Sequence, residues 1–149
     1  MSGSLDEFAE HLQQEIIAQA KKTYGAAAVE RWLHPSHLGK IENASSFARL
    51  KGSCGDTMEM YLQIRDDHIL EARCYTDGCA SSMICGSVAA ELATGKDLDE
   101  AAQIAADTIL AVLEGMPAEE RHCASLAAET LQAAIHNWMI KNVAHQKRH

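Results

Sequence analysis

Between residues 57 and 74, apolar side chains recur at every second position. This period restricts the possible folds more than any other feature of the sequence. In TMEMYLQIR every second residue is apolar: Met58, Met60, Leu62 and Ile64. After a turn at residues 66–68, a second alternating run puts Leu70, Ala72 and Cys74 on one face. A period of two is typical of strands with one buried face, so the pattern predicts an antiparallel hairpin. A short strand at residues 47–50 is expected to add a third member.

The sequence after Gly78 has helical spacing. It predicts one helix over residues 80–94, one that begins at Asp97, and a long last helix that begins near His122. The apolar stripe expected on the last helix consists of Leu126, Ala127, Thr130, Leu131, Ala134, Ile135 and Trp138. Strands followed by helices favour an α+β fold, a small antiparallel three-stranded sheet with helices packed on one face.

The N-terminal residues 1–25 predict a helical extension that precedes the domain of residues 26–149. Leu5, Phe8, Leu12 and Ile16 form an apolar stripe at helical spacing. We expect this stripe to dock on a partner or to self-associate, which would give a homodimer. The alternative is that the stripe packs back onto its own domain.

Composition excludes several classes of partner. The chain has 149 residues, 13 Lys and Arg, 21 Asp and Glu and a net charge of -8, which disfavours nucleic acid and anionic membranes. No apolar run predicts export or membrane insertion, so we expect a reducing, cytoplasmic location. Five cysteines without a CxxC pair argue against a disulfide framework and against a zinc finger.

Three cysteines fall at the predicted ends of elements. Cys54 lies in a Gly-rich turn, Cys79 at the start of one helix and Cys123 at the start of the last helix. A helix N-terminus lowers the pKa of a thiol, so Cys79 and Cys123 are candidate thiolates. Thiolates that lie close together in space repel one another. A soft metal ion or an iron–sulfur unit would offset this repulsion. Cys74 and Cys85 are expected to be core residues.

Three segments resemble the iron–sulfur cluster scaffold proteins of the IscU and NifU N-terminal domain family. They are GSCGDTMEMYLQI, DGCASSMICGSVAAELATGKDLDEA and RHCASLAAETLQAAI, whose cysteines lie 25 and 44 residues apart (79 − 54 and 123 − 79). Upstream, VERWLHPSHLG is similar to the family's helix and Asn-Pro segment, with His34 in place of Asn. The resemblance covers about residues 28–140.

The resemblance implies a site, a cargo and partners. Cys54, Cys79 and Cys123 would be the cluster ligands, with Asp56 and His122 as the candidates for the fourth ligand. The chain would be a scaffold and carrier, not an enzyme, on which a [2Fe-2S] cluster is assembled and transferred to apo iron–sulfur proteins. Sulfur would come from a cysteine desulfurase, with Cys123 as receiver, and electrons from a ferredoxin. The purified protein would hold zinc or iron.

Two departures from the family pattern limit what is carried over. The family's Leu-Pro-Pro-Val-Lys segment, which binds a chaperone, is replaced by MPAEE at residues 116–120, where the lysine becomes an acid. This change argues against recognition by an Hsp70-type chaperone. Cys85 stands where many relatives carry serine, and it is a candidate spare sulfur carrier.

Two other functions compete with the scaffold. A zinc-bound U-type sulfurtransferase would use the same cysteines to accept persulfide from a cysteine desulfurase, but such relatives carry an insertion between the second and third cysteine segments. A Cys-His hydrolase would use Cys123 as its nucleophile. Neighbouring helical residues diverge by about 100°, so His122 is poorly placed to be its base.

Overall fold

A computed structural model of the protein describes residues 2–53 and 55–147. The elements along the chain are α1 (Ser2–Tyr24), α2 (Ala26–Leu33), β1 (Ser46–Lys51), β2 (Thr57–Arg65), β3 (His68–Thr76), α3 (Ala80–Ala93), α4 (Leu98–Ala102), α5 (Ala106–Val112), a 3-10 turn (Ala118–Glu120) and α6 (Arg121–Lys147). Within the described ranges, none of the helices is both long and apolar enough to cross a lipid bilayer.

The three strands form one antiparallel sheet in the order β1-β2-β3. The predicted alternation in β2 is confirmed, because its apolar residues are buried while their neighbours are only partly buried. Strands β2 and β3 are joined by two residues, Asp66 and Asp67, whose φ values are 53° and 61°. Positive φ at both positions suits the twist of a tight hairpin.

The predicted buried face of β3 is wrong at its first position. Leu70 is 54% exposed, whereas Ile69 is fully buried. The pairing register of β2 and β3 shifts between Gln63 and Ile64. A bulge places two residues of one strand opposite one of the other, so the side chains before it and after it change faces. Ala72 and Cys74 are both fully buried, as expected.

The helices pack on one face of the sheet, which confirms the α+β architecture. Helix α3 packs against β3, α6 packs against β1 and β2, and α5 packs against α6. The expected stripe of α6 is buried from Leu126 to Ile135, and Trp138 is partly buried against it. On the opposite face of the sheet, the rings of Phe47 and Tyr61 stack with centroids 5.5 Å apart. On the helical face, α3 also packs against α6, and the start of α3 lies beside the start of α6.

Helix α1 packs against α2 and leaves its apolar stripe uncovered. The exposed fractions are 73% for Leu5, 65% for Phe8, 47% for Leu12 and 61% for Ile16. The stripe is therefore largely exposed in the single chain, which disfavours the alternative in which it packs back onto its own domain. Docking on a partner, or self-association, stays a prediction.

Candidate metal centre

Cys79 lies between the end of β3 and the start of α3, where it is the N-cap residue. Its side chain is exposed. The preceding Gly78 allows Asp56 to approach, because a Cβ at this position would lie 2.5 Å from Asp56 Oδ2. The backbone N–H of Cys79 donates to the same Asp56 oxygen at 3.4 Å. The absence of a side chain at position 78 therefore brings a carboxylate next to the Cys79 thiol.

Cys123 lies in the first turn of α6 and is fully buried. Three polar groups surround its sulfur. Ser82 Oγ lies 3.4 Å from it, Glu120 Oε2 3.6 Å and His122 Nε2 3.5 Å. A thiol at a helix start thus meets a hydroxyl, a carboxylate and an imidazole.

Ser82 joins the two cysteines to Asp56, although the sequence analysis did not single it out. Its side chain is fully buried, and its hydroxyl donates to Asp56 Oδ2 at 2.8 Å. Ser82 Oγ also lies 3.7 Å from Cys79 Sγ. Ser82 follows Cys79 by three residues, so both lie on one face of the helix start. That spacing is the signal that could have identified it.

The expectation of a low pKa is wrong for Cys123. Burial raises the pKa of this thiol to about 12. The nearby Ser82 hydroxyl lowers the pKa, while Cys79 and Glu120 raise it again. Burial is the largest cause, because a charge removed from water loses its hydration. A bound cation reverses this preference, since metals ligate the thiolate and release its proton.

Glu120 is a second residue that the sequence analysis did not propose as a ligand. The ligand atoms of Cys79, Glu120 and Cys123 all lie within 4.8 Å of one another. With the thiols deprotonated, two unit negative charges at that distance would repel by roughly 3 kcal/mol at an effective dielectric constant near 20. A divalent cation would relieve this repulsion. The signal in the sequence was the three-residue spacing from Glu120 to Cys123, which places both on one side of the helix start.

The structure brings four of the five predicted site residues together. Asp56 and Cys79 meet through Ser82, and His122 lies against Cys123. His122 Nδ1 faces the carbonyl oxygen of Glu119 at 2.8 Å, and its Nε2 lies 3.5 Å from the Cys123 sulfur. The expectation that helix geometry turns His122 away from Cys123 is therefore wrong. Cys54 lies outside the described residues. Which of these residues bind metal stays a prediction.

The other two described cysteines are core residues. Cys74 and Cys85 are fully buried, as expected. Burial raises the pKa of Cys74 to about 12 and raises the pKa of Cys85 as well. Cys85 Sγ lies 3.9 Å from the sulfur of Met116, away from solvent. Neither thiol resembles a reactive one.

Comparison with known proteins gives consistent matches. The family model described as "NifU-like N terminal domain" matches residues 23–145. The chain is 34% identical over 120 residues to iron-sulfur cluster assembly scaffold protein IscU 1 of Archaeoglobus fulgidus, covering 80% of this chain and 78% of that protein. It is 32% identical over 126 residues to the IscU scaffold protein of Escherichia coli K12, covering 81% and 98%.

A solved structure has the same fold. The N-terminal part of a NifU-like protein from Brucella abortus superposes with a TM-score of 0.67, at 19% identity. The match covers 82% of this chain and 98% of that chain. The arrangement of a three-stranded sheet with helices on one face is therefore shared with this protein.

Proposed function

The chain belongs to the NifU-like N-terminal domain family, and from this premise we propose that it is a scaffold and carrier for iron–sulfur clusters, without catalytic turnover of its own. The observation that carries the proposal is the meeting of Cys79 and Cys123 beside carboxylates, with one thiol exposed. A cluster that must be released needs a site that reaches the surface. The exposed Cys79 supplies that opening.

The proposed cargo is a [2Fe-2S] cluster held by Cys54, Cys79 and Cys123, with Asp56 or His122 as the fourth ligand. Four thiolates would hold a cluster for storage. An oxygen or nitrogen ligand at one corner exchanges more readily with the thiolates of an acceptor. This mixed ligand set supports transfer to apo iron–sulfur proteins rather than permanent retention.

Sulfur is proposed to arrive as persulfide from a cysteine desulfurase. A scaffold thiolate attacks the outer sulfur, a new S–S bond forms, and the desulfurase cysteine leaves as a thiolate. Two electrons, proposed to come from a ferredoxin, then reduce that sulfur to sulfide. The family resemblance implies Cys123 as the receiver, but Cys123 is buried and Cys79 is exposed, so we propose that Cys79 meets the donor first. This exchange requires free thiols, and we propose the reducing cytoplasm as its location.

The test of this function is anaerobic incubation of the protein with ferrous iron, cysteine and a cysteine desulfurase, followed by visible absorption. We expect thiolate-to-iron charge-transfer bands to grow during the incubation. In gel filtration, the species that gives these bands is expected to elute with the protein. The IscU protein of Escherichia coli is the positive control. A colourless protein that accepts persulfide and keeps zinc would support the zinc-bound sulfurtransferase instead, since two thiolates and a carboxylate also suit zinc.

Asp56 is proposed to control how readily the cluster leaves. Its Oδ2 accepts hydrogen bonds from the Ser82 hydroxyl and the Cys79 N–H, so the carboxylate lies at the site itself. We expect Asp56→Ala to form a cluster on the three cysteines and His122, and to release it about tenfold more slowly to apo-ferredoxin. Circular dichroism at matched cluster loading measures the rate.

Asp77 provides the control for this prediction. Its Oδ1 accepts the Thr57 N–H at 3.1 Å, so it holds the neighbouring loop without contacting either thiol. Asp77→Ala is expected to lower stability modestly and to leave the transfer rate unchanged. Equal transfer rates for wild type and Asp56→Ala would show that Asp56 has no role in release.

A further inference from the structure

We propose that Glu120 is a ligand of the metal ion that Cys79 and Cys123 bind before sulfide arrives, an inference that rests on the proposed scaffold function. The ligand class is a divalent cation that accepts both sulfur and oxygen, such as Fe²⁺ or Zn²⁺. Glu120 would be the oxygen ligand of this sulfide-free state. Asp56 and His122 remain the candidates for the corner of the finished cluster.

The geometry of Glu120 and Cys123 already suits a shared ion. Glu120 Oε2 lies 3.6 Å from Cys123 Sγ. A tetrahedral ion with about 2.0 Å to oxygen and about 2.3 Å to sulfur needs an O···S separation of roughly 3.5 Å. The Cys79 sulfur lies within 4.8 Å of both atoms and belongs to an exposed residue, so a small rotation brings it to the ion.

The local backbone holds Glu120 in this position. The 3-10 turn Ala118–Glu120 leads directly into α6, and the Glu120 N–H donates to the Pro117 carbonyl at 3.0 Å. Because Cys123 follows three residues later, both side chains lie on the same side of the helix start. The backbone therefore places the Glu120 side chain on the side of Cys123, in a helical turn directly before α6.

The negative charge of Glu120 is not neutralised by its basic neighbour. Arg121 pairs with Asp107 on α5. Within residues 2–53 and 55–147, none of the ion pairs involves Glu120. A partly buried carboxylate beside two thiols is stabilised by a cation, and the three groups together supply the charge that a divalent cation needs.

The test is Zn²⁺ affinity, measured on apo-protein by competition with a chromophoric chelator. The variants are Glu120→Gln and the matched control Glu119→Gln, which makes the same charge change one residue earlier on an exposed side chain. We expect Glu120→Gln to weaken binding at least tenfold, because even outer-shell partners of a metal site contribute 10–100-fold. Glu119→Gln is expected to stay within twofold of wild type. Thermal unfolding of each apo-protein verifies that the variants fold.

The salt dependence of Zn²⁺ affinity distinguishes the loss of a metal ligand from the loss of a distant charge. The Debye length falls from about 10 Å at 0.1 M to about 3 Å at 1 M, so a purely electrostatic effect disappears at high salt. We expect the difference between Glu120→Gln and wild type to persist at 1 M salt, and Co²⁺ absorption bands to shift in this variant alone. Equal affinities for wild type and Glu120→Gln, or equal losses in both variants, would overturn the proposal.

The outcome for Glu120 is separable from the outcome for the scaffold function. Cluster assembly with the desulfurase tests the function on the wild-type protein, whereas Zn²⁺ competition tests the ligand without sulfide. If wild type assembles a cluster and Glu120→Gln binds Zn²⁺ normally, only the ligand proposal fails. If wild type assembles none, the function fails and the affinities still report on Glu120.

Discussion

Replacing Cys79 or Cys123 with alanine is expected to abolish cluster assembly in a protein that remains folded. Each residue supplies one of the few soft ligands at the site, and a cluster that loses a thiolate loses far more than the 10–100-fold typical of an outer-shell change. We expect the charge-transfer absorbance after anaerobic reconstitution to fall below about a tenth of wild type. Cys54→Ala is expected to behave in the same way, on the strength of the family resemblance.

Cys85→Ala is the matched control for these substitutions. Cys85 lies on α3, the helix that Cys79 caps, but its side chain is fully buried and contacts Met116. The variant is expected to assemble a cluster at the wild-type level and to lose only packing energy, about 1 kcal/mol. Full assembly in Cys79→Ala or Cys123→Ala would remove that cysteine from the ligand set. Loss of assembly in a folded Cys85→Ala protein would add Cys85 to the set.

Gly86→Ala is expected to destabilise the protein, although glycine to alanine inside a helix ordinarily stabilises by up to about 1 kcal/mol. Gly86 is buried where α3 packs against β3, and a Cβ there would lie 2.2 Å from Cys74 Sγ and 3.3 Å from Met58 Cε. Overpacking of a core costs about 1–3 kcal/mol. We expect a net loss of about 1–2 kcal/mol in the free energy of unfolding, measured by urea denaturation.

A double-mutant cycle with Cys74→Ala identifies the contact responsible. Removing the Cys74 sulfur eliminates the shortest approach and leaves its Cβ, which would lie 3.1 Å from the new atom. Cys74→Ala alone is expected to cost about 1 kcal/mol and to retain cluster assembly. In that background, Gly86→Ala is expected to cost less than about 1 kcal/mol. A Gly86→Ala protein more stable than wild type would show that α3 can move away from β3 at no cost.

Much of the fold could be predicted because burial is periodic along the chain. The alternation of Met58, Met60, Leu62 and Ile64 defines a strand with one buried face, and the 3.6-residue stripe of α6 defines a helix that covers it. Asp97 also caps α4 as its position suggested, since its side chain accepts the Glu100 N–H at 2.7 Å. Such features depend on neighbours within a few residues, and those neighbours are written in the sequence.

The site could be predicted only in part. Cysteine and histidine are few enough that their positions identify candidates, and Asp56, Cys79, His122 and Cys123 do lie close together in space. Ser82 and Glu120 were missed because serine and glutamate are common surface residues. Their contacts with the thiols become visible only when the start of α3 is placed beside the start of α6.

The sequence by itself determined the strand and helix types, their order and the identity of the candidate sulfur ligands, because these follow from local periodicity and residue chemistry. The tertiary structure alone decided which side chains are buried at the points where elements meet. A one-residue register shift in the sheet buried Ile69 in place of Leu70. Packing of α6 buried Cys123 and raised the pKa of its thiol, whereas the position at a helix start predicted a lower pKa. Burial depends on residues distant in the chain, and desolvation by those residues is a larger effect here than any local one.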